Sequence, residues 1–289
     1  MQQPNQEQIA TLLVSCADRR GLVAALAQVL AGHGANILTA DQHVDAMAAQ
    51  FFQRIRFDLS ELLTDRGTLE RAIEEVGQRF GMTTELSYRE HLKRVAIFVS
   101  KYDHCLVDLL FRHRSGELEC AIPLVVSNHP DLRSLVEQFG ARFEVFPITK
   151  DTKREQEDRE TELLEHMQID LVVLARYMQI LTDDFVRRFP RRIINIHHSF
   201  LPAFVGGKPY QQAYQRGVKL IGATAHYATT ELDEGPIIEQ DVIRCSHRDS
   251  VEDLTRKGRD LERVVLARAV RAHLDDRVLV YGNKTVVFE

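Results

Sequence analysis

Three residues of this 289-residue chain, Asn195, His197 and Asp233, combine an amide donor, an imidazole and a carboxylate. That set suits carbonyl chemistry: Asn stabilises an oxyanion, His donates or relays a proton, and Asp orients the His or takes a proton from water. Asn195 and His197 follow Ile193-Ile194, a short apolar run that reads as a buried strand. Neighbouring side chains of a strand point to opposite faces, so Asn195 and His197 share a face and His198 points away. A turn rich in Pro and Gly follows, Leu201 to Pro209, with Gly206-Gly207 inside it. A short helix over Tyr210–Arg216 and a second strand over Leu220–Tyr227 come next. The stretch closes on Leu232-Asp233-Glu234-Gly235-Pro236, where Asp233 precedes a Gly-Pro turn. Asn, His and Asp are also common turn and cap residues, so spacing alone leaves a plain structural reading open.

The elements that must position these residues follow from periodicity. Ile9–Cys16 reads as a strand, Leu22–Gly32 as an amphipathic helix and Asn36–Asp41 as a second strand. Phe51–Leu59 alternates and reads as a half-buried strand; Thr68–Phe80 is a helix and Thr83–Ser87 a last short strand. The order βαββαβ predicts a ferredoxin-like unit over residues 1–87. Residues 88–93 form a charged connector. From residue 94 to 289 near-continuous apolar strands alternate with helices, which predicts a mostly parallel, doubly wound α/β sheet covered on both faces. Its strands are expected at Arg94–Ser100, Ile122–Ser127, Phe143–Phe146 and Ile169–Ala175, with helices at His104–His113, Pro130–Phe139, Lys153–Met167 and Thr182–Arg188. Asp249–Ala272 reads as a long helix and Val278–Tyr281 as a final edge strand. Ligands of such sheets bind beyond the C-terminal strand ends, where Ala175 and Asn195 both fall. The charge run Lys153–Glu165 reads as the solvated face of a helix.

Composition narrows the classes. With 37 Lys and Arg against 42 Asp and Glu, the formal net charge is −5, so no global basic field advertises nucleic acid or an anionic membrane. No run approaches the length of a spanning helix, and MQQPNQEQ lacks the apolar core of a signal peptide. Cys16, Cys105, Cys120 and Cys245 are scattered without a CxxC pair, which suits a reducing cytoplasm. Adjacent His197 and His198 cannot both face one metal from a strand, so no metal is expected. Ser199 lacks a nucleophile elbow and reads as a turn residue. His226 is either a packed core histidine or a supporting residue of the site.

The stretch Asn195-Ile-His197-His-Ser-Phe-Leu201-Pro202-Ala-Phe204, with Asp233-Glu-Gly-Pro-Ile-Ile after it, resembles the folate-dependent formyltransferase family. The resemblance implies Asn195, His197 and Asp233 as the catalytic set. It also implies that Ala175–Leu181 holds the pterin, with Arg176, Met178, Ile180, Leu181 and His226 as folate-binding residues; an ordinary strand-to-helix loop is the plain alternative. Asp18-Arg-Arg-Gly-Leu followed by Gly34-Ala-Asn36-Ile resembles an ACT domain. That implies an amino-acid effector near Asp18, Arg19, Gly21 and Asn36, and side-by-side pairing into a homo-oligomer; the same residues would also serve to cap one helix at Asp18 and end it at Gly34.

Within the family the chain is most similar to members that hydrolyse 10-formyltetrahydrofolate to formate and tetrahydrofolate. Such activity supplies formate for purine biosynthesis and balances the one-carbon folate pools. The expected partner is the folate as substrate, with no prosthetic group. Two alternatives stay open. One is formyl transfer to an amine such as glycinamide ribonucleotide or an aminoacyl-tRNA. The other is a sensor that binds folate without turnover. The transferases that act on ribonucleotides carry a Gly/Ser/Asn-rich phosphate clamp where this chain has Ser100-Lys-Tyr-Asp-His104.

Overall fold

The computed structural model of the chain describes residues 8–203 and 209–289, so Phe204 and Gly206-Gly207 of the turn lie outside the described residues. The chain divides into two compact units. One runs up to Leu92 and takes in Asp276–Tyr281 and Val286–Glu289; the other comprises Lys93–Asp275 and Gly282–Thr285.

The first unit contains β1 (Ile9–Ala17), α1 (Leu22–Gly32), β2 (Asn36–Asp45), β3 (Gln50–Asp58), α2 (Arg66–Phe80) and β4 (Thr83–Tyr88). The strands pair antiparallel in the order β2-β3-β1-β4, a ferredoxin-like sandwich. Leu26, Leu30, Leu69 and Ile73 of the two helices bury against Leu12, Val14, Ile55 and Phe57 of the sheet. Helix α2 is capped by Asp65, whose carboxylate accepts from Thr68 N–H at 2.9 Å. Helix α1 differs from the expectation. Its N-cap is Gly21, at a φ of 91° that Gly adopts freely, and no side chain caps it, so Asp18 does not have that task.

β3 is not half-buried as its alternation suggested. Phe51 through Ile55 are all buried. The second face is covered by the end of the chain: Leu13 and Phe52 pack against Leu279, Tyr281, Val286 and Phe288. β12 (Val278–Tyr281) is accordingly no edge of the large sheet. It pairs with β13 (Lys284–Val287) in a two-stranded sheet of its own.

The second unit holds β5 (Arg94–Val99), α3 (His104–Arg114), β6 (Ala121–Ser127), α4 (Arg133–Glu137), β7 (Arg142–Val145), α5 (Lys153–His166), β8 (Leu171–Leu174) and α6 (Asp183–Arg188). It continues with β9 (Ile193–His197), α7 (Pro209–Arg216), β10 (Leu220–Tyr227), β11 (Ile237–Arg244) and α8 (Val251–Leu274). One seven-stranded sheet runs β11-β10-β9-β8-β5-β6-β7. From β9 to β7 the pairs are parallel; β10 and β11 run antiparallel to their neighbours. The chain builds outward from β5 in one direction through β6 and β7, then returns to start β8 on its other side. The switch point, where a crevice opens beyond the strand ends, therefore lies between β5 and β8. Ser100 and Arg176 leave those two strands there, and Ser100 N–H donates to the Arg176 carbonyl at 3.3 Å.

Three expectations change in this unit. The helix read at Pro130–Phe139 shrinks to α4, because Pro130 opens a turn to which Arg133 N–H donates at 3.1 Å. β11 was not legible as a strand; of its eight residues at the sheet edge only Ile238 is buried. The charged face of α5 is not all solvated, since Gln156, Glu157 and Glu160 are buried beside Leu164.

Because the C-terminal strands seal Leu13 and Phe52, Leu279→Ala is expected to destabilise the first unit by about 2–5 kcal/mol. Urea unfolding followed by circular dichroism checks this; an unchanged midpoint would mean that the hairpin contributes no core.

Candidate active site

β9 and β10 pair so that Asn195 lies directly opposite His226 and His197 opposite Thr224. The β10–β11 register shifts between Ala225 and His226, a local irregularity of the kind that re-aims a side chain. Asn195 Nδ2 sits 3.2 Å from His226 Nε2. His226 Nδ1 lies 3.0 Å from the Tyr227 carbonyl, which only accepts, so Nδ1 carries a proton. In the neutral ring Nε2 is then the acceptor for one Asn195 N–H, and the second N–H of that amide is left to donate elsewhere.

Asp233 comes in from the loop between β10 and β11, in a left-handed conformation with φ 58°. The loop is pressed close to β10: a Cβ on Gly235 would lie 1.7 Å from the Tyr227 carbonyl oxygen, so only glycine fits. His197 Nδ1 stands 3.2 Å from Asp233 Oδ2, and His226 Nε2 stands 3.7 Å from Oδ1. Burial pushes the Asp233 carboxyl up, but the hydrogen bond from His197 and the pull of the two imidazoles outweigh it. The carboxyl is held well below the usual carboxylate range. An ionised carboxylate only accepts, so His197 Nδ1 donates and its Nε2 is the working atom. Nε2 is buried and has no hydrogen-bond partner among the described residues. Buried polar atoms are rarely left so, and an unmatched one next to a fixed proton partner marks a place for a ligand or a reacting group.

The turn after β9 is pinned by Thr224. Its hydroxyl donates to the Ser199 carbonyl at 2.9 Å and accepts from Leu201 N–H at 3.1 Å and from Gln240 Nε2 at 2.9 Å. Ser199 Oγ donates to the Ala203 carbonyl at 2.7 Å, the turn role its sequence context suggested.

A cavity of about 360 Å3 adjoins this centre, lined among others by Tyr102, His104, Arg176, His198, Tyr210 and Glu262. Glu262 is 1% exposed, yet both of its oxygens are engaged. Oε2 meets His104 Nε2 at 2.8 Å and Arg176 Nε at 3.4 Å, while Oε1 accepts from Tyr210 OH at 2.5 Å. Burial works against its ionisation, and those three partners reverse the effect, so its carboxyl is lowered. Gly258, one turn earlier on α8, makes the room: a Cβ there would lie 2.0 Å from the Tyr210 hydroxyl oxygen. His104, Cys105 and Glu262 place ligand-type atoms within 4.8 Å of one another. Arg176 already supplies positive charge to Glu262, and burial drives the Cys105 thiol well up, so the cluster is poorly suited to a cation.

The residues read as folate-binding line this crevice unevenly. Arg176, with φ 63°, is drawn inward by Glu262. Met178 and Ile180 are exposed at 53% and 62%, and Leu181 packs on the core beneath. Met178 N–H is taken by Ser100 Oγ at 3.0 Å. Of the residues read as effector-binding, Asp18, Arg19, Gly21 and Asn36 are all exposed in the first unit. Arg19 donates to the Arg79 carbonyl at 3.0 Å and lies over the Phe80 ring. Tyr210, Thr224, Gln240 and Glu262 escaped the sequence reading. Glu262 carried a signal, a lone carboxylate on the apolar stripe Leu254, Gly258, Leu261, Val265.

Residues 93–270 match the formyl transferase family and residues 10–80 the ACT domain family. A formyltetrahydrofolate deformylase of Synechocystis is 58% identical over 98% of this chain and 99% of its own length. The crystal structure of a formyltetrahydrofolate deformylase from Pseudomonas syringae superposes with a TM-score of 0.94 at 48% identity, covering 97% of this chain and 94% of that one. A glycinamide ribonucleotide transformylase from Symbiobacterium toebii reaches a TM-score of 0.65 at 29% identity, over 71% of this chain and 98% of its own.

His198 gives a stability test. Burial pushes its imidazole down to about 4, and Arg176 adds to the effect. An unfolded histidine takes its proton near pH 6.5, before the folded one does, so stability is lost as pH falls from about 6.5 to about 4. The urea midpoint is expected to drop across that window, and less so in His198→Asn. An equal drop in both would remove His198 as a cause.

Proposed function

The chain belongs to the formyltetrahydrofolate deformylases, formyl transferase-type proteins with an ACT domain, and from that premise we propose that it hydrolyses 10-formyltetrahydrofolate to formate and tetrahydrofolate. The observation that carries the chemistry is the buried, unpartnered His197 Nε2 beside an Nδ1 tied to Asp233.

Water attacks the formyl carbon as its proton passes to His197 Nε2. The carbonyl oxygen becomes an oxyanion, and the spare N–H of Asn195 donates to it. The carbon–nitrogen bond then breaks, and the imidazolium returns the proton to N10, releasing tetrahydrofolate and formate. A carboxylate held as low as Asp233 is a poor base near neutrality, which favours the orienting role for it over direct activation of water. His226 orients the Asn195 amide. The exposed Met178 and Ile180, with Leu181 and Arg176, hold the pterin in this reading; a ring lying on those apolar side chains would cover surface that is otherwise open to solvent.

Formyl transfer to an amine is the weaker reading. The segment where a phosphate clamp would stand carries Tyr102 and His104, and His104 is tied to Glu262. Whole-length likeness lies with the deformylases and not with the transformylases.

The residues up to 87 act as a regulatory ACT module and those from 94 to 275 carry the catalytic site, while the strands that end the chain pack on the module. A small-molecule effector, of the amino-acid class, binds near Asp18, Arg19, Gly21 and Asn36. Self-association through the module is supported by β2, an edge strand with Val44 exposed. No described helix is long and apolar enough to cross a membrane. The four cysteines are unbridged, which suits work in the cytoplasm.

Asn195→Ala is expected to lower formate release by about a hundred- to a thousandfold with the fold intact. Asp233→Asn should bind tetrahydrofolate nearly as before and lose about a thousandfold or more in turnover, because the wrong imidazole tautomer is then stabilised. Formate production and fluorescence titration with tetrahydrofolate check both. Near-wild-type rates in either variant would remove that residue from the machinery.

A further inference from the structure

Three side chains of α5 converge on the loop that leads from β8 into α6. Lys153, Glu157 and Glu160 are spaced i, i+4 and i+7 and so share one face of the helix. Lys153 Nζ donates to the Ile180 carbonyl. Glu157 accepts from Thr182 N–H, its two oxygens at 3.2 and 3.3 Å, and from the Thr182 hydroxyl. Glu160 Oε1 accepts from Tyr177 OH at 3.2 Å, and Glu160 Oε2 has no partner among the described residues. On its other side the same loop is held by Ser100 at Met178 N–H. Between those fixed points Met178 and Ile180 project into solvent.

Burying carboxylates costs stability unless something is gained by it, and apolar side chains would pack this face equally well. Glu157 is 3% exposed and Glu160 fully buried, above a core that includes Leu164, Phe185 and Tyr177. We propose that Glu160, with Glu157 and Lys153, positions the Tyr177–Thr182 loop for folate binding, and that the loop is competent only while Glu160 is protonated. This rests on the reading that the loop takes the pterin.

The charges around Glu160 support the second half. No cation faces it. Tyr177 faces it from the loop and Glu157 from its own helix, while β5 and α6 contribute the rings of Phe98 and Phe185 around Tyr177. Burial pushes the Glu160 carboxyl up to about 8; the Tyr177 hydrogen bond opposes this, and Glu157 adds to it. The neutral acid is thus the resident form at pH 7. As pH rises through about 8, a charge appears on a buried carboxyl whose Oε2 has no partner among the described residues; only water could satisfy it, and hydrating it opens the loop even though Tyr177 bonds the anion more tightly. An acid whose folded pKa is raised loses stability as pH climbs from its unfolded value to its folded one, so the sign is towards a weaker loop in alkali. At pH 9 about a tenth of the molecules would hold the proton, and apparent affinity falls in proportion.

The test is KM for 10-formyltetrahydrofolate in the full-length chain between pH 7 and 9, for wild type and Glu160→Gln. The amide keeps an acceptor for Tyr177 and does not titrate. Wild-type KM should rise about tenfold more than that of Glu160→Gln, with kcat at pH 7 within about twofold in both. Ionisation of the folate itself affects both proteins equally and drops out of the comparison. Parallel profiles would overturn the proposal. If Glu160→Gln fails to fold, Tyr177→Phe replaces it: losing a hydrogen bond that lowers the carboxyl should move the rise in KM to higher pH, and an unmoved profile would overturn the idea. Tetrahydrofolate affinity measured across the same range separates the two claims. A pH-dependent affinity without formate release at any pH would sink the hydrolase reading and leave the loop proposal standing.

Discussion

The Asp233 carboxylate, shared between two imidazoles, is the interaction on which the candidate site depends. It fixes a proton on His197 Nδ1 and so decides which nitrogen of that ring is free. It also lies near His226, whose Nδ1 proton is spoken for by a backbone carbonyl. It can do this only because a β10–β11 loop brings a non-glycine residue into the left-handed region, a conformation that costs of order 1–3 kcal/mol and persists where surroundings over-determine it. Those surroundings are visible in the close seat of Gly235 on the Tyr227 carbonyl and in the Tyr227 N–H bond to Pro236 at 2.9 Å.

The same device recurs around the crevice. Glu262, Glu157 and Glu160 are each buried, and each binds backbone or side-chain donors from segments without regular structure or from helix ends. Glu262 ties the start of α3, the residue after β8 and the start of α7 to α8. Glu157 and Glu160 tie the loop that follows to α5. Loops at the C-terminal ends of parallel strands have few backbone partners of their own, and buried acceptors are a direct way of giving them one geometry. Arg176 lies where the two systems meet, its backbone bonded to Ser100 and its guanidinium to Glu262.

How much of this was legible in the sequence depended on whether a signal was local. The strands and helices of the parallel sheet, the ferredoxin-like order, and the trio Asn195, His197 and Asp233 could all be read from period, spacing and resemblance. β11 could not, because an edge strand with one wet face and a preceding Gly-Pro turn looks like the tail of a loop. The second buried face of β3 could not, because what covers Phe52 is Leu279 and Phe288, more than two hundred residues away. The carboxylates of α5 were misread for a related reason. In a helix with nine acidic and basic residues close together, nothing in the period alone says which of them face a loop that needs acceptors.

One consequence of the Asp233 arrangement bears on the order of events in the proposed hydrolysis. With Nδ1 engaged throughout, a single nitrogen, His197 Nε2, has both to take a proton from water and to give one to N10. These are successive moves of one proton, so the ring must be neutral when substrate binds and charged when the tetrahedral intermediate forms. An ionised partner lowers the energy of the charged stage and leaves the neutral stage nearly untouched, which is stabilisation confined to the part of the path where it speeds the reaction. The Asn195 amide adds to the same stage, since the oxyanion it receives exists only there. A water molecule needs no subsite beyond the reach of Nε2, whereas an amine acceptor would need one, and the crevice next door is walled by Tyr102, His104 and Tyr210, two of them bound to Glu262.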